Sequence, residues 1–190
     1  MPKVVADISM SLDGYVNGPN PVDMEQLHAW VFDGSEVDDA VLRENVEATG
    51  AVVMGRRLFD IVDGPDGWSE DVGYGGRIKA TPPVFVVTHQ EPQKVRLKRQ
   101  MSFVTDGVSA AITVARKAAG QRDVVVMGGA DVISQSLAAG LVDELRIHLA
   151  PIILGTGTPL FKGGKSVPLT QSSVRVSQRA THLTYRLNTK

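Results

Sequence analysis

Cysteine is absent from this chain of 190 residues, which excludes disulfides, thiolate metal sites and a catalytic thiol. The four histidines lack the close spacing of a metal-binding motif, so no metal site is expected. Net charge is nearly absent too: a balance of −1 gives no electrostatic reason to expect nucleic acid or an acidic membrane as partner. There is no signal peptide and no span of ~18 apolar residues, and a soluble cytoplasmic protein is the expectation. Internal repeats and low-complexity tracts are also missing. What remains is a chain 43% apolar, long enough for one domain over residues 1–190 with a sizeable core and too short for two ordinary ones.

The most informative stretch that is present is Val124-Val125-Val126-Met127-Gly128-Gly129-Ala130-Asp131, an apolar run meeting paired glycines and then a helical pattern. Glycine has no Cβ, so backbone N–H groups at such a junction can approach a pyrophosphate, whose charge the helix start favours. Gly-Gly also marks ordinary turns, which by itself is the more common use. A second junction shifts the balance. Ala51-Val52-Val53-Met54 reads as a buried strand and runs into Gly55-Arg56-Arg57-Leu58-Phe59, where two guanidinium groups match phosphate oxygens. The third piece, Pro83-Val84-Phe85-Val86-Val87-Thr88-His89-Gln90, is a strand ending in hydrogen-bonding side chains. Polar strand ends of this kind form ligand crevices in open α/β sheets.

Together with Ser11-Leu12-Asp13-Gly14, Gly140-Leu141-Val142-Asp143-Glu144-Leu145 and Pro151-Ile152-Ile153-Leu154-Gly155-Thr156-Gly157, this trio resembles the dihydrofolate reductase-like superfamily. The nearest branch is the reductase domain of riboflavin biosynthesis with its stand-alone relatives, and the resemblance runs over residues 3–187. It implies a dihydrofolate reductase-like α/β fold that binds NADPH and passes a hydride to a small heterocyclic substrate of pteridine or pyrimidine type. It assigns the pyrophosphate to Gly128, Gly129, Ala130 and Asp131, and the phosphate-reading role beside Gly55 to Arg56 helped by Arg57. Thr88 and His89 would meet the adenosine 2′-phosphate. The family often carries threonine where Leu58 stands here. Asp131 also fits as a plain helix cap, and Arg57 as a solvated helix residue. Stand-alone relatives pair as homodimers through their late strands. A nucleotide-binding protein that kept the scaffold without its catalysis is the alternative function.

Strands alternate with helices first and dominate at the end, which predicts a mostly parallel central sheet, helices on both faces and a C-terminal antiparallel hairpin. The first strand spans residues 3–11. A Ser-x-x-Asp capping box, Ser35 to Asp38, opens a helix that Gly50 is expected to close. Helices follow at 56–61, 108–119 and 131–139, the last two closed by Gly120 and Gly140. Over 143–150 the alternation of Leu145, Ile147 and Leu149 with Arg146 and His148 predicts one buried face. Residues 174–177 and 183–187 read as the hairpin. Two glycine- and proline-rich segments, 13–33 with a short helix near 24–30, and 62–83 with Trp68 and Tyr74, read as lids or as surface loops.

Hydride transfer needs a proton source, and two carboxylates are expected to be catalytic. Asp39 shares a helical stripe with Leu42 and Val46, where loss of water would make its carboxyl hold a proton more tightly. Counted back from Gly55, it falls where dihydrofolate reductases keep their acid; in the first turn it also simply complements the helix dipole. Asp7 lies inside Val4-Val5-Ala6-Asp7-Ile8, where a lone charge is costly unless paired or functional. The riboflavin reductases have a substrate-binding lysine at that position, so the reversed charge argues for a different substrate. Asp13 reads as a turn residue.

Overall fold

The three apolar runs lie side by side at the centre of one sheet. In the computed structural model, which describes residues 2–69, 72–76, 78–97, 101–163 and 166–188, the chain opens with β1 (Val4–Ser11), β2 (Tyr15–Asn17) and helices α1 (Pro21–Leu27) and α2 (Ala29–Phe32). It continues through α3 (Glu36–Ala48), β3 (Thr49–Gly55), α4 (Arg56–Val62), β4 (Val84–Val87), β5 (Met101–Val104) and α5 (Val108–Ala119). The second half holds β6 (Asp123–Gly128), α6 (Ala130–Ala138), β7 (Glu144–Ala150), β8 (Thr158–Pro159), β9 (Leu169–Val176) and β10 (Thr181–Leu187). Eight strands form the main sheet in the order β5-β4-β3-β6-β1-β7-β10-β9. From β5 to β7 neighbours are parallel, and β10 and β9 finish the sheet antiparallel, as the order of sequence patterns predicts.

Strands covered on both faces read as continuous apolar runs because neither face meets water. On one face Val4, Ala6, Val53, Val124 and Val126 pack with Ile112, Ala115 and Ile133 of α5 and α6. The opposite face sets Val5, Val52, Met54 and Val125 against Phe59 and Val62 of α4. The chain leaves β1, skips one place to β3, moves outward to β5, and returns to lay β6 between β3 and β1 before crossing to β7. Ligands of such sheets bind where the strand order reverses, so the crevice expected from this topology lies at the carboxyl ends of β3, β6 and β1.

Four local expectations are revised. Gly50 does not close α3: the helix ends at Thr49 in extended conformation, and Gly50 is the second residue of β3. Its small size answers to packing, since a Cβ there would stand 2.6 Å from the Ala119 carbonyl at the end of α5. The segment 13–33, read as unpatterned but for one short helix, carries β2, α1 and α2, with Leu27 and Trp30 buried. The 62–83 segment, of which residues 70, 71 and 77 lie outside the described residues, sends Tyr74 into the core, where its hydroxyl meets Thr49 Oγ1 at 2.9 Å. Thr49 starts β3, about 20 Å along the strand from Gly55 at ~3.3 Å per residue, so Tyr74 does not overhang the crevice. Finally, β7 is buried on both faces, because α2 and α3 cover the side that carries Glu144, Arg146 and His148. Strand β5 has no counterpart among the strands expected from sequence, being only four residues long.

Candidate functional site

Each residue expected at the cofactor lies at the carboxyl end of the parallel strands. Gly55 ends β3 and caps α4, and a Cβ on it would come 2.9 Å from Val132 Cγ2, so glycine here lets α6 approach the strand. Gly128 ends β6 with φ of 130°, a left-handed value that favours glycine, and its peptide bond to Gly129 is cis. Gly129 has ordinary extended dihedrals and caps α6. A Cβ on Gly129 would meet nothing within 4 Å, so its face is open to a ligand. Ala130 is buried beneath it and Asp131 is exposed, bound to Lys162 at 2.9 Å. That hydrogen bond, against a small opposing effect of burial, holds the Asp131 carboxyl below its usual range.

Arg56 and Thr88 converge on one atom. The Gln90 carbonyl accepts from Arg56 Nη1 at 3.0 Å and from Thr88 Oγ1 at 2.7 Å, while Arg56 Nε is also held by Asp60 at 2.7 Å. Thr88 is buried and His89 beside it is exposed. The Arg57 side chain is 92% exposed and stands 3.9 Å from Asp131, so it leans from one glycine junction toward the other. The Arg56 and Arg57 guanidinium groups and the His89 imidazole thus lie at one side of these strand ends, with the Thr88 hydroxyl turned inward to Gln90, and bare glycine backbone lies at the other.

The carboxylates occupy a second, interior cluster. On α3 the fully buried stripe is Asp38, Val41 and Leu42, one residue earlier than the Asp39 stripe expected from periodicity. Asp38 accepts from Ser35 N, Ser35 Oγ, Ser177 Oγ and His182 Nε2 at 2.7 to 2.9 Å. Burial works to raise its carboxyl, but these donors outweigh it and hold the group below the ordinary value. Asp39 follows half-buried, with Oδ1 enclosed by protein, on a stripe whose Leu42 and Val46 meet Trp30, Val31 and Ile78. Asp7, on β1, accepts from His148 Nε2 at 3.0 Å and Asn45 Nδ2 at 3.1 Å. Burial again opposes ionisation, and the charges of His148, Arg146 and His182 prevail, keeping Asp7 below the usual range. A carboxylate so held is an acceptor and an anchor rather than a proton donor near neutral pH.

Around Asp7 the structure adds residues that the sequence reading did not single out. Asn45 Oδ1 accepts from Arg146 Nη1 at 2.9 Å, Arg146 pairs with Glu144 at 2.7 Å, and Glu144 with Lys3 at 2.6 Å. Trp30 covers the cluster, giving its Nε1 hydrogen to Ser9 Oγ and stacking 4.0 Å from the His148 ring. The available signal was the polar side of β7: Glu144, Arg146 and His148 alternate, and His182 lies opposite His148 across the antiparallel pair. Such a polar side reads as solvated unless a covering helix is known. Asp13 is a turn residue as expected, its carboxylate accepting from the backbone of Leu154 and Gly155.

The sheet order, parallel from β5 to β7 and finished antiparallel by β10 and β9, is that of the dihydrofolate reductase-like fold. Within it the chain belongs to the RibD C-terminal domain family, whose model matches residues 2–183. It is 23% identical over 171 residues to the uncharacterized protein YyaP of Bacillus subtilis, covering 84% of this chain and 80% of that one. Among solved structures it is similar to a candidate riboflavin biosynthesis protein from Shewanella sp. PV-4, with TM-score 0.72, 23% identity and coverage of 98% and 99% of the two chains. Dihydrofolate reductase from Enterococcus faecalis, complexed with NADP(H), gives TM-score 0.63 at 17% identity, over 98% and 97% of the chains.

Proposed function

We propose that the protein is an NADPH-dependent reductase that passes a hydride to a small heterocycle of pteridine or pyrimidine type. The observation that carries the reading is the junction at Gly129, where backbone lies open at the start of α6 beside the Arg56, Arg57, Thr88 and His89 rim. Gly55, Gly128, Gly129, Ala130 and Asp131 would surround the pyrophosphate, with Asp131 contributing its backbone because its carboxylate is committed to Lys162. Arg56, Arg57, Thr88 and His89 would read the 2′-phosphate. NADPH supplies the hydride when bound. Asp39, at the start of α3, is proposed to give the proton to the heteroatom that gains charge, and Asp7 to hold a substrate N–H. In support, Asp7 of β1 is bound to Asn45 of α3, the helix that carries Asp39, and β1 lies beside β6. The family membership and the NADP(H)-bound reductase of the same fold support the class of reaction. Soluble, cytoplasmic function as a homodimer belongs to the same proposal; among the described residues no helix is long and apolar enough to cross a membrane. A screen of carbonyl and imine heterocycles for substrate-dependent NADPH oxidation tests it. Turnover on one member supports the reductase, whereas tight NADPH binding with no turnover across the screen favours the non-catalytic binder.

A further inference from the structure

Two histidines lie in the interior with every ring nitrogen engaged. His148 is 1% exposed and His182 4%. Their Nδ1 atoms are 2.7 Å apart, while His148 Nε2 meets Asp7 Oδ1 at 3.0 Å and His182 Nε2 meets Asp38 Oδ1 at 2.9 Å. An ionised carboxylate only accepts, so each Nε2 carries a hydrogen. Between the two Nδ1 atoms one hydrogen is required: none would oppose two lone pairs, and two would oppose two N–H groups. Three hydrogens on two imidazoles make one positive charge. Trp30 lies over it, its ring 4.0 Å from His148 and 5.1 Å from His182, as suits a cation against an aromatic face.

We infer that His148 and His182 form a one-proton dyad that positions both carboxylates of the proposed site, Asp7 directly and Asp39 through its neighbour Asp38 in the first turn of α3. The inference rests on the reductase reading for its functional sense, while the proton count stands on geometry. Apart from α2, which supplies only Trp30, the elements packed around the pair bring charge to bear. Strand β1 contributes Asp7, β7 Arg146 and Glu144, α3 Asp38 and Glu44, and β9 Arg175, which pairs with Glu44. His28 after α1 and Tyr74 of the 62–83 segment face the same cluster. Burial, then the neighbouring His148 charge, hold His182 below its ordinary value. The four negative groups Asp7, Asp38, Glu44 and Glu144 are thereby met by Arg146, Arg175 and the dyad, with Lys3 at the rim. Loss of the third proton sets the two Nδ1 lone pairs against each other and loosens β10, with the α3 turn that His182 holds, from β7. A fourth proton sets two N–H groups against each other and has the same effect.

Long-range proton–nitrogen NMR of the imidazole rings in the full-length 15N-labelled protein counts the hydrogens without a ligand. At pH 7 three of the four nitrogens should be protonated, with both Nε2 of the N–H type and one far-downfield proton between the Nδ1 atoms. Two neutral rings, or two rings titrating independently, overturn the inference. In Asp7→Asn the pair should lose its third proton about one to three pH units earlier, since an opposing charge is gone. Asp38→Asn provides the same test from the other end should the first variant misfold, and an unshifted titration in a folded variant counts against the dyad. NADPH titrated into the unmodified sample reads the reductase proposal separately: failure to bind sinks that proposal and leaves the proton count as found.

Discussion

Replacing Asp38 by alanine is expected to be among the most destabilising single changes in the chain. Its carboxylate is fully buried and gathers four donors, two from Ser35, one from Ser177 and one from His182. Ser35 and Ser177 are half-buried, so their hydroxyls can turn toward water, and the loss there is mainly that of the helix cap, about 1 kcal/mol. His182 cannot do the same. At 4% exposure its Nε2 hydrogen is left without an acceptor, and removing one partner of a buried charged pair costs about 3–5 kcal/mol. We take about 4 kcal/mol as the expected loss, the cap being part of the same set of bonds. With a urea dependence of ~2 kcal/mol per molar, the unfolding midpoint should fall by about 2 M. Glu44→Ala serves as the control: it breaks a bidentate pair with Arg175 whose carboxylate side chain is 58% exposed, and the cost should stay below about 1 kcal/mol. An Asp38→Ala midpoint within about 0.5 M of the unmodified protein would refute the reasoning, because it would mean that the buried donors find other partners.

Stability should depend on pH in two windows. His182 lies below its ordinary 6.5 in the folded state through burial first, so the unfolded chain binds the proton more readily, and stability present above pH 6.5 is lost as pH falls from there toward the folded value. Asp7 and Asp38 lie below 3.8, so their contribution is present above that pH and disappears as pH drops below it through the folded values. Urea midpoints from pH 8 to 3 measure both windows, and a flat profile between 7 and 5 would contradict the first. Gly129→Val should stay folded, because the added Cβ meets nothing, yet lose NADPH binding, and unaltered affinity in a folded variant would return the junction to an ordinary turn. A symmetric dimer is expected through the late strands, where edge strand β9 exposes Val176 at 67% and Val174 at 44%. Light scattering should give twice the 20.4 kDa chain mass, and a mass of one chain at micromolar concentration would remove the dimer.

The parts of the fold that were legible from sequence are those where one force dominates. Val52, Val53, Val124, Val125 and Val126 are fully or almost fully buried, and covered strands leave an uninterrupted apolar signature. The ends of α5, from Val108 to Ala119 before Gly120, follow from a helical stripe and a left-handed stop at φ of 63°. Gly50 was misread because a glycine after a helix looks the same whether the chain needs a positive φ or simply lacks room, and here Ala119 removes the room. The cofactor rim was visible as three strand ends, although the meeting of Arg56 and Thr88 at Gln90 needs the parallel pairing of β3 with β4. The interior cluster was the least visible. Asp7 stands out in its apolar strand, but Asp38, His148 and His182 are far apart in the chain and look like surface residues until α3 covers the sheet and β10 is laid against β7. Helical phase also decided between neighbours, for a shift of one residue on α3 exchanges the half-buried Asp39 for the buried Asp38.

The central claim is that the crevice at Gly129 and Arg56 takes NADPH, and paired calorimetric titrations with NADPH and NADH test it most directly. A charge-assisted contact to the 2′-phosphate contributes on the order of 1.5–3 kcal/mol, so NADPH should bind about tenfold or more tighter than NADH. In Arg56→Ala that preference should shrink toward equality with NADH binding barely changed. Equal affinity for the two cofactors in the unmodified protein, or no heat from either, would contradict the account.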